Sequence, residues 1–77
     1  MWQEKNSSLV REFKFSDFKS ALEFVNKVGA LAEELNHHPD ISFGWGRVKI
    51  TLTTHSSGQV TDKDRLLAKR LDGLGKD

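Results

Sequence analysis

Cysteine does not occur in this chain of 77 residues. Its absence removes the thiol nucleophile, the thiolate metal site and the disulfide framework together. An excess of one charge is also missing: 12 Lys and Arg stand against 11 Asp and Glu, for a formal net charge of +1. The two signs are interspersed, with no Lys/Arg block of the kind that tracks a nucleic-acid backbone or an anionic membrane surface. Direct nucleic-acid binding is therefore not expected. No apolar run approaches the roughly 20 residues that cross a bilayer. The first residues, Met1-Trp2-Gln3-Glu4-Lys5, lack the basic-then-apolar layout of a secretory signal. A cytoplasmic protein with no membrane contact is the plain expectation. At this length residues 1–77 are read as one domain. A chain below roughly 70–80 residues has a marginal core, and no disulfide can supplement it. Association into a homodimer or homotetramer is expected for that reason.

What is present is periodic. Trp2 to Lys5 reads as a short strand and Asn6-Ser7-Ser8 as a turn. From Leu9 to Phe15 the residues alternate, with Leu9, Arg11, Phe13 and Phe15 on one face. Arg11 interrupts that apolar face, so its guanidinium is expected at the sheet edge or on a carboxylate. Ser16 is the expected N-cap of a long helix, with Asp17 favourable at the positive end of the helix dipole. Phe18, Ala21, Leu22, Val25, Val28, Ala32 and Leu35 recur at three- and four-residue intervals and form its apolar stripe. Gly29 costs this helix roughly 1 kcal/mol against alanine, which predicts a close neighbour there. Asn36 and then Pro39 end it, because proline disfavours helical backbone at His38.

Ile41, Phe43 and Trp45 alternate as a strand, and Gly44-Trp45-Gly46 marks a bend or hairpin turn. Val48, Ile50 and Leu52 give a further half-buried strand running up to His55, which parity places on the face opposite those apolar residues. Thr61 and Asp64 have the spacing of a capping arrangement, and Leu67, Ala68, Leu71 and Leu74 form a second helical stripe. The tail from Gly73 is expected to fray. The order is β-β-α-β-β-α. It implies an α+β two-layer sandwich, a four-stranded antiparallel sheet with both helices packed on one face.

All three histidines fall in one spaced constellation, Glu33-x3-His37-His38-Pro39-x5-Trp45-x9-His55-x8-Asp64. Imidazole titrates near neutrality, so it can give or take a proton with little driving force lost. His37 and His38 leave the end of the long helix and His55 ends a strand, so a compact fold can bring them together. Residue by residue, simpler readings exist. His37 suits the negative end of a helix dipole, Asp64 can be a plain helix cap, Trp45 a core aromatic and Glu33 a solvated helix residue. A zinc site is a further alternative. It is disfavoured because His37 and His38 are adjacent in backbone that Pro39 keeps extended, so their side chains diverge. No metal and no cofactor are expected.

Taken together, this spacing resembles the signature of the pterin-4a-carbinolamine dehydratases. The resemblance runs from Trp2 to about Leu71. It includes Leu9-x-Arg11-x-Phe13-x-Phe15-x-Asp17-Phe18, Ala32-Glu33, and Thr51-Leu52-Thr53-Thr54-His55 with Thr61-x-x-Asp64. It implies a dehydratase that removes water from 4a-hydroxytetrahydrobiopterin or a related tetrahydropterin. Such an enzyme recycles the cofactor of aromatic amino acid hydroxylases. On that resemblance His37 and His55 form the acid/base pair and His38 helps to bind the pterin. Glu33, Pro39, Trp45 and Asp64 occupy the remaining substrate-site positions. Two departures accompany it. Members of the family usually carry a helix ahead of the first strand, where this chain starts at Trp2, and its loss would uncover apolar surface. The position two after Pro39, often a large aromatic, is Ile41. The competing expectation is a non-catalytic protein-binding or dimerisation module of the same fold.

Overall fold

The structure is a computed structural model that describes residues 1–74. The elements are β1 (Gln3–Lys5), β2 (Ser8–Lys14), α1 (Phe18–Leu35), β3 (Asp40–Gly44), β4 (Arg47–Leu52) and α2 (Asp62–Leu74). The strands form one antiparallel sheet in the order β1-β2-β4-β3. This is the α+β sandwich that the alternation and helical stripes imply. Of the tail expected to fray, Gly73 and Leu74 are the last residues of α2, and the rest lies outside the described residues.

Period-two patterning puts Leu9 and Phe13 of β2 and Val48, Ile50 and Leu52 of β4 on the covered face. Ala21, Phe24, Val28 and Leu31 of α1 and Leu67, Ala68 and Leu71 of α2 close over them. Register holds this face together: Leu9 sits opposite Leu52, Arg11 opposite Ile50 and Phe13 opposite Val48. Slipping β2 by one residue would send Leu9 and Phe13 to the open face, where Glu12 and Lys49 now lie. Arg11 reaches a carboxylate, as its place on an apolar face requires. It pairs with Asp72 near the end of α2 and lies 4.2 Å from the centroid of the Phe13 ring. Asp72 also accepts the Trp2 indole N–H at 2.8 Å, so one carboxylate ties β2 and the residue ahead of β1 to α2.

Three local expectations change. The N-cap of α1 is Asp17 rather than Ser16: its backbone is extended and its carboxylate accepts the Ser20 N–H at 2.8 Å. Sheet pairing decides this, because Phe15 still donates to the Gly46 carbonyl and leaves only Ser16 to make the turn. The buried stripe of α1 is also rotated. Phe24 and Leu31 are buried, whereas Phe18 and Leu22 are 46% and 39% exposed. Phe24 causes the rotation, with its ring centroid 4.7 Å from that of Phe13 and 5.1 Å from that of Phe15. Finally, a Cβ at Gly29 would meet nothing within 4 Å, so close packing does not account for that glycine.

Candidate active site

α1 ends in a way that fixes His37. Asn36 adopts the left-handed conformation at φ 52, its N–H bonds the Glu33 carbonyl, and the His37 N–H bonds the Ala32 carbonyl at 3.1 Å. These two bonds form a Schellman-type stop, and a proline two residues on is its common companion. The backbone of His37 is thereby pinned before Pro39 leads the chain into β3.

The His37 ring turns towards the start of α2. Its Nε2 lies 2.5 Å from Oδ1 of Asp64, with the His37 side chain 13% exposed and that of Asp64 fully buried. Asp64 is the third residue of α2, and it also completes a reciprocal cap. The Thr61 N–H donates to Oδ2 of Asp64 at 2.9 Å, while Oγ1 of Thr61 accepts the Lys63 N–H at 3.3 Å. The Thr54 hydroxyl donates to the same Oδ2 at 2.7 Å and contacts Oγ1 of Thr61 at 2.7 Å. Capping and histidine pairing are therefore two uses of one carboxylate. Burial pushes the Asp64 carboxyl pKa up. Hydrogen bonds from His37, the Thr61 N–H and the Thr54 hydroxyl, with the charge of His37, outweigh it and hold the carboxyl below its ordinary 3.8.

His38 points elsewhere, as divergence at an extended segment requires. Its Nε2 lies 2.5 Å from Oε2 of Glu33 in the last turn of α1, with side chains 55% and 78% exposed. His55 follows Thr54 directly but faces solvent. β4 ends at Leu52, and Thr54 makes an isolated bridge to Gln59 that closes a turn over His55-Ser56-Ser57-Gly58. Gly58 has φ +67, and its N–H bonds the Thr54 carbonyl at 2.8 Å. The structure thus gathers His37, His38, Pro39, Glu33, Asp64 and, through Thr54, His55 at one end of the sheet.

Trp45 is not among them. It is 69% exposed in the turn between β3 and β4. Asp40, beside the histidines, pairs with Thr51, whereas Gly44 beside Trp45 pairs with Arg47. Those four strand steps separate Trp45 from the histidine end by roughly 13 Å at about 3.3 Å per residue. At the Trp45 end Phe18 stacks on Phe43 with centroids 5.5 Å apart. Thr54 is the site neighbour that the histidine spacing alone does not single out. Its only sequence signal is its place in the Thr51–His55 run, where strand parity would bury it with Leu52. Among the described residues no group of three or more His, Cys, Asp or Glu side chains could hold a metal ion, and no helix is long and apolar enough to cross a membrane.

The profile of the family described as "Pterin 4 alpha carbinolamine dehydratase" matches residues 1–74. A Rubrobacter xylanophilus protein named "Putative pterin-4-alpha-carbinolamine dehydratase" is 54% identical over 66 residues, covering 86% of this chain and 62% of that protein. The chain therefore spans less than two thirds of that relative's length. A Metallosphaera sedula protein of the same name is 49% identical over 75 residues, 97% of this chain and 78% of its own. Among solved structures, the Brucella melitensis protein described as "transcriptional coactivator/pterin dehydratase" superimposes with a TM-score of 0.93 at 35% identity, over 97% of this chain and 82% of its own. A pterin dehydratase-like protein described as a RuBisCO assembly factor in the alpha-carboxysome gives a TM-score of 0.81 at 31% identity, over 100% of this chain and 89% of its own. The chain belongs to the pterin 4 alpha carbinolamine dehydratase family.

Proposed function

We propose that this member of the family dehydrates 4a-hydroxytetrahydrobiopterin, or a related 4a-hydroxytetrahydropterin, to the quinonoid dihydropterin and so recycles the tetrahydropterin. In this reaction the C4a–O bond breaks and the hydroxyl leaves as water after receiving a proton. N5 loses its proton as the C4a=N5 bond forms. No oxidant, metal or cofactor enters the balance.

The observation that carries the reading is the His37–Asp64 pair. An ionised carboxylate can only accept, so the His37 proton bound to it sits on Nε2, and in the neutral imidazole Nδ1 then carries the lone pair. His37 is then the base that takes the N5 proton, with Asp64 orienting it and stabilising the imidazolium that forms. His55 is the acid that protonates the departing hydroxyl from the neighbouring turn. His38, with Pro39 and Glu33, binds and orients the pterin ring. Trp45 has no part in this reading, because it stands at the other end of β4.

A stopped-flow assay of carbinolamine dehydration with purified protein tests this directly. Acceleration that survives chelator treatment is expected. No acceleration over the uncatalysed rate, or bound zinc whose removal abolishes it, would overturn the proposal.

A second reading, a protein-binding module of the same fold, is favoured by one finding: the solved relative described as an assembly factor. Exposed Phe18, Leu22, Trp45 and Leu66 offer apolar contact surface for it. The same surface, with the unpaired edges of β1 and β3, supports association into a homodimer or homotetramer. Sedimentation at micromolar concentration is expected to show a dimer or larger, and a clean monomer would remove that part.

A further inference from the structure

A hydroxyl has one proton to donate, and that sets a direction through the polar cluster beside His37. Ionised Asp64 cannot donate, so the 2.7 Å contact between Thr54 Oγ1 and Asp64 Oδ2 uses the Thr54 proton. With that proton committed, the 2.7 Å contact between the two threonine hydroxyls must use the Thr61 proton. Thr61 Oγ1 receives in turn the Lys63 N–H at 3.3 Å. The bonds therefore all point one way. They run from the first turn of α2 through Thr61 and Thr54 to one oxygen of Asp64. His37 meets that carboxylate from the opposite side, through Oδ1.

The second oxygen is constrained by its count of donors. Oδ2 takes the Thr54 hydroxyl and the Thr61 N–H, one a side-chain and one a backbone donor, and both residues are held in place. Thr54 is buried and bridged to Gln59, and Thr61 accepts the first amides of α2. The fully buried carboxylate cannot rotate without breaking two bonds. A buried polar group that loses its partners is costly, so this orientation is the stable one.

We propose that Thr54 and Thr61 are positioning residues of the dehydratase site. Their directed hydroxyl chain, with the Thr61 N–H, holds the plane of the Asp64 carboxylate so that its other oxygen stays on His37 Nε2; that contact keeps the proton of the neutral imidazole on Nε2 and leaves Nδ1 as the basic atom. The catalytic consequence rests on the dehydratase reading, whereas the consequence for the His37 tautomer does not. Neither threonine touches the reacting atoms in this account. A threonine that only filled space would be replaceable by valine, which has the same shape.

The test is imidazole ¹⁵N NMR on the full chain, paired with dehydration kinetics, for the wild type, Thr54→Val, Thr54→Ser and Thr61→Ala. The wild type is expected to show His37 protonated at Nε2. Thr54→Val is expected to mix the two His37 tautomers. It should also lower kcat roughly tenfold with KM little changed, less than the 10²–10⁴-fold of a lost acid/base group itself. Thr54→Ser, which restores the proton, is expected to return both signals to the wild-type values. Should Thr54→Val fail to fold, Thr61→Ala is decisive in its place. It leaves the Thr54 hydroxyl present but without the Thr61 bond that holds its oxygen in place, and is expected to shift the same resonances in the same direction by less. Unchanged His37 resonances in whichever of these two variants folds would overturn the proposal, as would a wild-type His37 protonated at Nδ1. If the wild type proves inactive, the dehydratase reading fails, and the NMR arm still decides the hydroxyl chain.

Discussion

Two imidazole–carboxylate pairs stand side by side at the end of α1, and they differ in little except water. His37 with Asp64 and His38 with Glu33 each close through Nε2 at 2.5 Å. The first pair is almost wholly enclosed; the second is largely exposed on both sides. In water the attraction is screened and opposed by the side-chain entropy of holding two groups together, so such a pair contributes little. Inside, the same contact is costly to lose, because removing either partner leaves a buried polar atom unpaired. Adjacent residues of one type thus stand in separate environments. The backbone turn at Asn36 and Pro39 creates that difference.

The largest effect expected is on turnover. His37→Ala should lower kcat by about 10²–10⁴-fold, the range for a lost acid/base group, and steady-state kinetics on folded protein checks it. His38→Ala should chiefly raise KM, as loss of an interaction made equally in ground and transition states does. Equal kcat losses in the two variants would erase the distinction between the pairs.

Asp64→Asn comes next, because its logic is geometric. The Thr54 hydroxyl and the Thr61 N–H both need an acceptor at Oδ2, so the amide oxygen goes there and the amide NH₂ faces His37. His37 must then accept at Nε2 and carry its proton on Nδ1, the wrong atom. A kcat loss of about 10²-fold or more is expected. Stability should fall by about 1–3 kcal/mol in a denaturant titration.

Acid gives a smaller, graded signal. The folded Asp64 carboxyl is held below its ordinary 3.8. Its contribution to stability is therefore complete above the unfolded value and is lost as pH falls through the lowered folded one. The stability gap between wild type and Asp64→Asn should be constant above about pH 5 and narrow steadily below it. Denaturation midpoints measured from pH 7 down to pH 3 would show this, and a gap that widened in acid would contradict it. The smallest effect belongs to the exposed pair. Glu33→Gln should change stability by less than about 1 kcal/mol. A larger loss in the same titration would show that exposure is not what separates the two pairs.

The strands and their faces were legible because alternation is strict: a one-residue slip would turn Val48, Ile50 and Leu52 outward together. The end of α1 was legible for a similar reason, since Asn36 and Pro39 act locally. The stripe of α1 was only half legible. Phe18 and Leu22 fit the helical period as well as Phe24 and Leu31 do, and the aromatic contacts of Phe24 with β2 decide between them. At the site, the histidine–carboxylate spacing pointed to the residues that meet. Which carboxylate meets which histidine is set by α2 docking on α1, and no local pattern encodes that. Trp45 shows the converse, since spacing along the chain grouped it with residues that a hairpin carries to the far end.

The bonds to α2 bear on the order in which the molecule can assemble. Trp2 and Arg11 meet Asp72 across separations of 70 and 61 residues, and His37 meets Asp64 across 27. During synthesis every one of these partners emerges late. The two hairpins and α1 can form early, but the Arg11 guanidinium and the His37 ring do not meet these carboxylates until the final helix arrives. Closing such long loops is the slow, entropically costly part of folding. The chain therefore completes its core and brings His37 to Asp64 in the same late event. A nascent chain stopped before Asp64 would lack both the α2 side of the core and the His37–Asp64 pair.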